Sequence, residues 1–301
     1  MTRVLITGAN GLLGQKLVKQ CQLQEIDFLA TSKGKNRNTD CPNSHYQELD
    51  ILNKDEIDSV FDSYSPTHVI NTAAITNVDS CEAEPDVCEK VNVHAVKLMF
   101  TVCKKRKIHF QQLSTDFVFP GEKSNYSEED KVKPLSTYAA SKVKSEQLLQ
   151  EDDYTNWSIV RTIIVYGTAY NLSRSNIVLW ARSELKKGNT LNIVDDQFRS
   201  PTWAEDLAKG CLSIVLKKER GLFHISGKEN YSMYELVQKM ADFYNVDSSL
   251  VRPIKSDQLG RPAPRPPKTG FDLSKAFKRI NYAPLTFIES LEELEKELLS
   301  Q

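Results

Sequence analysis

The sequence contains no long run of apolar residues. No stretch approaches the roughly 18 consecutive apolar residues of a membrane-spanning helix, and the first apolar strand begins at residue 3, which leaves no room for a cleavable signal segment. Neither sign of charge predominates, because 39 basic residues are matched by 40 acidic ones. We therefore expect a cytoplasmic protein that binds neither a membrane nor nucleic acid.

Disulfide and metal-binding patterns are also missing. The six cysteines include no C-x-x-C pair, and a chain of 301 residues is large enough to build a core without disulfides. The five histidines include no closely spaced pair of the kind that binds zinc. The sequence thus predicts reduced thiols and no metal site.

A glycine-rich turn lies near the start of the chain. The apolar strand Val4–Ile6 runs directly into Thr7–Gly14, in which Gly8, Gly11 and Gly14 are three residues apart. Glycines at this spacing allow a tight turn, close approach of backbone amides to a pyrophosphate, and packing of the next helix on the strand. The turn predicts a bound dinucleotide whose negative charge lies at a helix N-terminus.

Strand-like and helical segments alternate along the first half of the chain. Strands are predicted at 3–7, 26–31, 68–72, 108–113 and 158–164, and helices at 53–63, 87–105 and 137–150. This alternation predicts an α/β fold with a Rossmann-type, doubly wound parallel sheet and helices on both faces. In such sheets, ligands bind beyond the carboxyl ends of the strands.

The pattern becomes mixed after Gly167. Helices are predicted at 174–187, 204–217, 232–244 and 288–299, and strands at 191–194 and 222–225. Four prolines exclude regular structure from Arg261–Pro267. We expect an NAD(P)-binding domain over 1–165, which also receives part of 190–220, and a smaller mixed α/β domain over 166–301 that binds mainly the substrate.

Tyr138 and Lys142 are the strongest candidates for chemistry. They lie four residues apart in a predicted helix, so the phenol and the ammonium share one face. A nearby positive charge lowers the pKa of tyrosine, whose ordinary value near 10 is too high for efficient proton transfer at neutral pH. Ser114, Thr115 and Asp116 end an earlier strand and would bring hydroxyls and a carboxylate to the same edge.

Together these motifs resemble the extended short-chain dehydrogenase/reductases. The matching segments are Thr7–Gly14, Asn71–Ala74, Ser114–Phe119 and Tyr138–Lys142. Within this group the chain is similar to the dTDP-4-dehydrorhamnose reductases. Their Arg-Thr-x-x-Val-Tyr-Gly, Asp-Gln-x-x-x-Pro-Thr and late Arg-Pro motifs match Arg161–Gly167, Asp196–Thr202 and Arg265–Thr269.

The resemblance implies NAD(P)H-dependent reduction of the 4-keto group of a nucleotide-linked deoxysugar, first of all dTDP-4-dehydro-L-rhamnose. Tyr138 would protonate the keto oxygen, Lys142 would lower the pKa of the phenol and hold the nicotinamide ribose, and Thr115 would hydrogen-bond the carbonyl. The candidate substrate residues are Thr76, Val78, Thr115, Asp116, Phe117, Ile164 and Arg265. Besides Tyr138 and Lys142, the candidate cofactor residues are Gly8, Asn10, Gly11, Leu12, Leu13, Gly14, Thr31, Ser32, Lys33, Asp50, Ile51, Ala73, Ala74 and Ile75.

Thr31, Ser32 and Lys33 follow the second predicted strand. In dinucleotide-binding folds, an acidic residue at this place accepts hydrogen bonds from the ribose hydroxyls of NAD and repels the 2′-phosphate of NADP. Two hydroxyls and a cation without a neighbouring carboxylate suit a phosphate. We therefore predict a preference for NADPH, with NADH as the alternative.

Two positions depart from the rhamnose-forming enzymes. Ile164 stands where they commonly have Trp and Phe117 where they have Tyr, so another 4-ketosugar nucleotide stays open as the substrate. The chain also resembles the regulatory β subunit of methionine adenosyltransferase, notably over 221–227 and 250–254. That resemblance implies a subunit that binds NADP and serves a partner enzyme. A homodimer is left open by both alternatives.

Overall fold

Thirteen strands are present in the computed structural model, which describes residues 2–300. They are β1 (Arg3–Thr7), β2 (Asp27–Ser32), β3 (Tyr46–Glu48), β4 (His68–Asn71), β5 (His109–Thr115), β6 (Trp157–Thr162), β7 (Val165–Tyr166), β8 (Leu191–Val194), β9 (Phe198–Arg199), β10 (Thr202–Trp203), β11 (Gly221–His224), β12 (Tyr231–Ser232) and β13 (Val251–Ile254). Seven of them form one sheet in the order β11-β6-β5-β4-β1-β2-β3. All neighbours in it are parallel.

Eleven α-helices accompany the strands in the described part of the chain. They are α1 (Leu12–Leu23), α2 (Lys54–Tyr64), α3 (Val78–Ala83), α4 (Pro85–Glu89), α5 (Ala95–Arg106), α6 (Thr137–Gln150), α7 (Ile177–Lys186), α8 (Ala204–Leu216), α9 (Met233–Phe243), α10 (Ser274–Ile280) and α11 (Phe287–Ser300). Two apolar clusters cover the sheet, one with residues of α1, α8 and α10 and the other with residues of α2, α5 and α6. The predicted doubly wound α/β fold is confirmed.

The order of the sheet reverses between β1 and β4. From β1 the chain builds outward to β2 and β3 on one side, and then returns to β4, β5 and β6 on the other. Such a reversal opens a crevice at the carboxyl ends of the strands, which is where doubly wound folds bind ligands. The glycine-rich turn follows β1 and the residues Ala73–Ile75 follow β4, so both lie at this crevice.

The later part of the chain contributes to two regions. Strand β11 pairs with β6 in the main sheet, and α8 packs in the same apolar cluster as α1. A separate apolar cluster joins residues of α7, α9 and α11 to β8 and β13. The proposed division at residue 165 stays a prediction. No helix among residues 2–300 is long and apolar enough to cross a membrane.

The predicted helix 87–105 is not continuous. Helix α4 ends at Glu89, a π-helical segment covers Lys90–His94, and α5 begins at Ala95. Single π-turns inside helices are rare and are frequent at functional sites. The interruption places Asn92, which is fully buried, against the loop that follows β4.

Candidate active site

The glycine-rich turn connects β1 to α1 at the carboxyl edge of the sheet. Gly8 has a φ of +68°, which favours glycine, and a Cβ there would lie 2.7 Å from the backbone nitrogen of Ala73. Helix α1 begins at Leu12, and Gly11 before it provides no side-chain cap. The amides of this first turn, which includes Leu13, therefore fit an anionic group such as a pyrophosphate.

Gly14 is the point of closest packing between α1 and this turn. A Cβ on it would lie 2.4 Å from the Gly8 carbonyl oxygen and 2.6 Å from the Ala9 Cα. We expect Gly14→Ala to lower the free energy of unfolding by about 1–3 kcal/mol, as overpacking does, and to weaken dinucleotide binding. Gly11→Ala is the matched control, since its Cβ would lie 3.2 Å from the same oxygen. Urea unfolding that shows an equal loss in both variants would contradict this account.

Lys33 and Asp50 meet beside the end of β2. The exposed Lys33 ammonium lies 2.8 Å from Oδ2 of Asp50, and this hydrogen bond raises the pKa of Lys33 and lowers that of Asp50. No carboxylate follows β2 directly, as expected, but Asp50, itself a predicted cofactor residue, reaches Lys33 from the segment after β3. Thr31 is also placed differently, since it is fully buried and its hydroxyl donates to the Ile6 carbonyl at 3.0 Å. Ser32 and Lys33 are left as candidates for a phosphate.

The side chain of Asn10 holds the segment that follows β2. Its Nδ2 donates to the Lys35 carbonyl at 2.9 Å, and its Oδ1 accepts from the Arg37 amide at 2.8 Å. Asn10 therefore brings Lys35 and Arg37, both exposed cations that the sequence analysis missed, beside the glycine-rich turn. Cations in a loop leave no periodic pattern in the sequence. Only the contacts of Asn10 reveal that Lys35 and Arg37 lie beside the turn.

Small residues Ala73 and Ala74 follow β4 and lead to Ile75. The Ile75 amide donates to Oδ1 of Asn92 at 2.9 Å, and Nδ2 of Asn92 donates to the Ile75 carbonyl at 3.0 Å and to Oγ of Ser141 at 3.0 Å. Asn92 thus ties the loop after β4 to the helix α6. This residue was not predicted, because its role depends on the π-helical segment.

Tyr138 and Lys142 lie on α6, which begins at the predicted residue. Ser136 caps this helix by accepting from the Ala139 amide at 3.3 Å. Tyr138 and Lys142 are both buried, and the rings of Tyr138 and Phe117 form a T-shaped contact with a centroid distance of 6.3 Å. Helix α6 therefore brings the predicted pair to the end of β5, as expected.

Burial dominates the electrostatics of this pair. It raises the pKa of Tyr138 well above its ordinary value, the neighbouring Thr115 hydroxyl opposes this rise, and the charge of Asp116 adds to it. Burial also lowers the pKa of Lys142 to about 8, against the attraction of Glu146. The effect of Lys142 on the pKa of the phenol therefore stays a prediction.

The Lys142 ammonium is free to bind a ligand. Although Lys142 is buried, no side chain among residues 2–300 forms a hydrogen bond or an ion pair with it. A buried cation without a partner is costly, and a ribose hydroxyl or a developing phenolate at this position would satisfy it. The donor set therefore fits a nicotinamide ribose.

Apart from Ile164, the candidate substrate residues divide into two groups. Thr115, Asp116 and Phe117 adjoin Tyr138. Thr76 lies just before α3 and Val78 is the first residue of that helix, where two arginines from the later part of the chain converge. Arg174 donates to Thr76 Oγ1 at 3.2 Å, and Arg265 donates to Asp79 at 2.7 Å.

Ile164 lies in the turn between β6 and β7. It has a φ of +32°, which is rare for a β-branched residue and costs about 1–3 kcal/mol. Its carbonyl accepts from the Thr202 amide at 3.1 Å. Strained residues of this kind concentrate at ligand sites, which supports the predicted place of Ile164 near the substrate.

No cluster of three His, Cys, Asp or Glu side chains in residues 2–300 could hold a metal ion.

The chain is similar to known proteins over nearly its full length. The family model for the RmlD substrate binding domain matches residues 1–300. The probable low-salt glycan biosynthesis reductase of Haloferax volcanii is 30% identical over 292 residues, which is 96% of each chain. The dTDP-4-dehydrorhamnose reductase of Aggregatibacter actinomycetemcomitans is 30% identical over 312 residues and 98% of each chain. Methionine adenosyltransferase 2 subunit beta of Rattus norvegicus is 29% identical over 279 residues, 91% of this chain and 81% of the relative.

A solved structure of a dTDP-4-dehydrorhamnose reductase is also similar to this chain over nearly its full length. The dTDP-4-dehydrorhamnose reductase of Bacillus anthracis, in complex with NADP, superposes with a TM-score of 0.85 at 28% identity and covers 99% of this chain and 100% of that one. The family resemblance predicted from the motifs is thereby confirmed. The chain belongs to the RmlD substrate binding domain family.

Proposed function

We propose that this protein reduces the 4-keto group of a nucleotide-linked deoxysugar with NADPH, and that dTDP-4-dehydro-L-rhamnose is the first substrate to test. The observation that carries the proposal is the buried Tyr138 phenol, which lies beside the Thr115 hydroxyl and on the same helix face as the buried, unpartnered Lys142 ammonium. The similarity to reductases of this name supports the choice of sugar.

The chain supplies the proton and the positioning for this reaction. A bound reduced nicotinamide supplies the hydride. Tyr138 holds its proton at neutral pH because burial raises its pKa, and it donates that proton to the keto oxygen. Lys142 stabilises the phenolate that remains, and Thr115 hydrogen-bonds the carbonyl.

The other assignments follow the same geometry. We propose that Leu12, Leu13, Ala73 and Ala74 surround the cofactor with backbone and small side chains. Ser32, Lys33, Asp50 and Ile51 would contact its adenosine end, while Phe117, Ile164 and Arg265 would shape the sugar site.

A preference for NADPH is testable at Lys33. Lys33→Glu would place a second carboxylate beside Asp50, whose Oδ2 lies 2.8 Å from the Lys33 ammonium, and the two would repel a 2′-phosphate. We expect the ratio of kcat/KM for NADPH to that for NADH to fall about tenfold or more, which is about 1.4 kcal/mol. Lys278→Glu, an exposed change on α10, is the control. An unchanged ratio in Lys33→Glu would count against the phosphate site.

The function itself is tested by turnover. NADPH oxidation at 340 nm (an absorbance band of the reduced nicotinamide) would be followed with dTDP-4-dehydrorhamnose and with ketosugars carried on GDP, UDP and CDP. We expect one of them to be reduced, and product analysis would identify the 6-deoxysugar nucleotide.

A second candidate function is the regulation of a partner enzyme. The similarity to methionine adenosyltransferase 2 subunit beta favours it, and such a subunit could use the same dinucleotide turn. Copurification with a synthetase, together with no turnover of any ketosugar, would favour this alternative. Turnover without a stable partner would reject it.

A further inference from the structure

The carboxylate of Asp116 is buried behind the candidate catalytic Thr115. Its Oδ1 accepts from the Thr115 hydroxyl at 3.1 Å, and its Oδ2 accepts from the Thr269 hydroxyl at 2.5 Å. Nε of Arg199 lies 3.8 Å from the same Oδ2. All three partners are themselves buried. Each oxygen of Asp116, which was predicted to contact the sugar, therefore already accepts a hydrogen bond from the protein.

Arg199 connects this carboxylate to the proline-rich segment. Its guanidinium donates to the carbonyls of Phe198 at 2.7 Å, Pro266 at 2.6 Å and Pro267 at 3.2 Å. It also lies 5.4 Å from the centre of the Phe117 ring. Arg199 thus donates hydrogen bonds to the backbone next to Arg265, and its positive charge balances the negative charge of the Asp116 carboxylate.

Thr269 fixes the end of the same segment. Its amide donates to the Phe198 carbonyl at 3.0 Å, and the Phe198 amide donates to the Pro267 carbonyl at 2.8 Å. The segment that carries Arg265 is therefore anchored twice, through β9 and through Asp116.

We propose that Thr269 and Arg199 are positioning residues that act through Asp116 on Thr115. A threonine hydroxyl has a single proton, which in this structure is donated to Asp116 Oδ1. To hydrogen-bond the substrate carbonyl, Thr115 must turn this proton from the carboxylate to the ketone oxygen, so the position of Asp116 sets the geometry from which the hydroxyl turns. Thr269 and Arg199 hold the other oxygen, Oδ2, and prevent the carboxylate from rotating. The inference rests on the proposed reduction, because it assigns these residues a role in that reaction.

The test compares Thr269→Val, which keeps the shape of the side chain but removes the hydroxyl, with Thr269→Ser, which restores it. We expect kcat to fall about tenfold in the valine variant, with the KM for NADPH changed less than about twofold, and to recover largely in the serine variant. The acidic limb of the kcat profile should move to higher pH in Thr269→Val. The hydrogen bond from Thr269 lowers the pKa of Asp116, so its loss raises that pKa. Ser290→Ala, which removes a buried hydroxyl on α11, controls for lost stability.

A second measurement does not depend on turnover. Carbon-13 NMR of the Asp116 carboxyl group in the full chain would follow its titration in the wild type, Thr269→Val and Thr269→Ser. An unchanged titration in the valine variant would overturn the proposed contact. A shifted titration with unchanged kcat would overturn the positioning role. If the wild type reduces no ketosugar, the proposed function fails, while the titration still decides whether Thr269 controls Asp116.

Discussion

Replacing Tyr138 with phenylalanine is expected to lower the kcat of ketosugar reduction by about 10²- to 10⁴-fold, the usual contribution of a positioned general acid. The phenol donates its proton only as the reaction proceeds, so its loss should change the transition state far more than the ground-state complex. The Kd for NADPH, measured by fluorescence titration, should change less than about twofold. The ring itself, which packs against Phe117, is retained.

Tyr64→Phe is the matched control for this variant. Tyr64 lies at the end of α2 and its hydroxyl bonds Asp27, the first residue of β2, at the opposite edge of the sheet. The Tyr64→Phe variant loses a hydroxyl of the same kind, but far from the candidate site, so its kcat should stay near the wild-type value. Wild-type turnover by Tyr138→Phe would reject the proton-donor role. An equal loss in both variants would attribute the effect to folding.

The parts of the site predicted from sequence are those encoded by local spacing. Three glycines three residues apart fix both a turn and the start of a helix, and the structure places Gly8 and Gly14 where a Cβ would clash with neighbouring backbone. Tyr138 and Lys142 share a helix face because they are four residues apart. A tight turn and a helix face need only a few neighbouring residues, which the sequence displays directly.

The parts that were missed depend on contacts between distant segments. Lys33 pairs with Asp50 after β3, so the carboxylate absent from the sequence around Lys33 is supplied by another strand end. Asn92 reaches Ile75 because a π-helical segment divides the predicted helix. Arg199 and Asp116 are 83 positions apart and meet only because β5 and β9 are brought together. No periodic pattern encodes such pairs.

The electrostatics were the least predictable part. A neighbouring lysine was expected to lower the pKa of Tyr138, whereas burial raises the pKa of this phenol. Sequence spacing identifies which charges are near, and only the packed structure gives the desolvation that opposes them. Because Tyr138 is protonated before the reaction, Lys142 would stabilise a phenolate only after the proton has been donated. Removing the charge of Lys142 is therefore a second decisive test.

Lys142→Met is expected to lower kcat/KM for reduction by about 10²-fold or more, because the methionine fills the same space without a charge to stabilise the phenolate. The NADPH complex should also weaken, since the proposed contact to the nicotinamide ribose is lost. Lys144→Met, two residues further along α6 and exposed, with its ammonium 3.0 Å from Glu89, is the matched control and should stay near the wild-type rate.

The pH dependence of the wild type provides an independent check on Lys142. Burial lowers the pKa of Lys142 to about 8, so the ammonium is present below that pH and is lost as the pH rises through it. We expect kcat/KM, which reports the free enzyme, to fall on the alkaline side with a midpoint near that value. Lys142→Arg keeps its charge to much higher pH, so this fall should disappear from its profile even if its rate is low. A wild-type profile that stays flat to pH 10 would show that the charge of Lys142 is not needed, and the proposed stabilisation of the phenolate would have to come from another group.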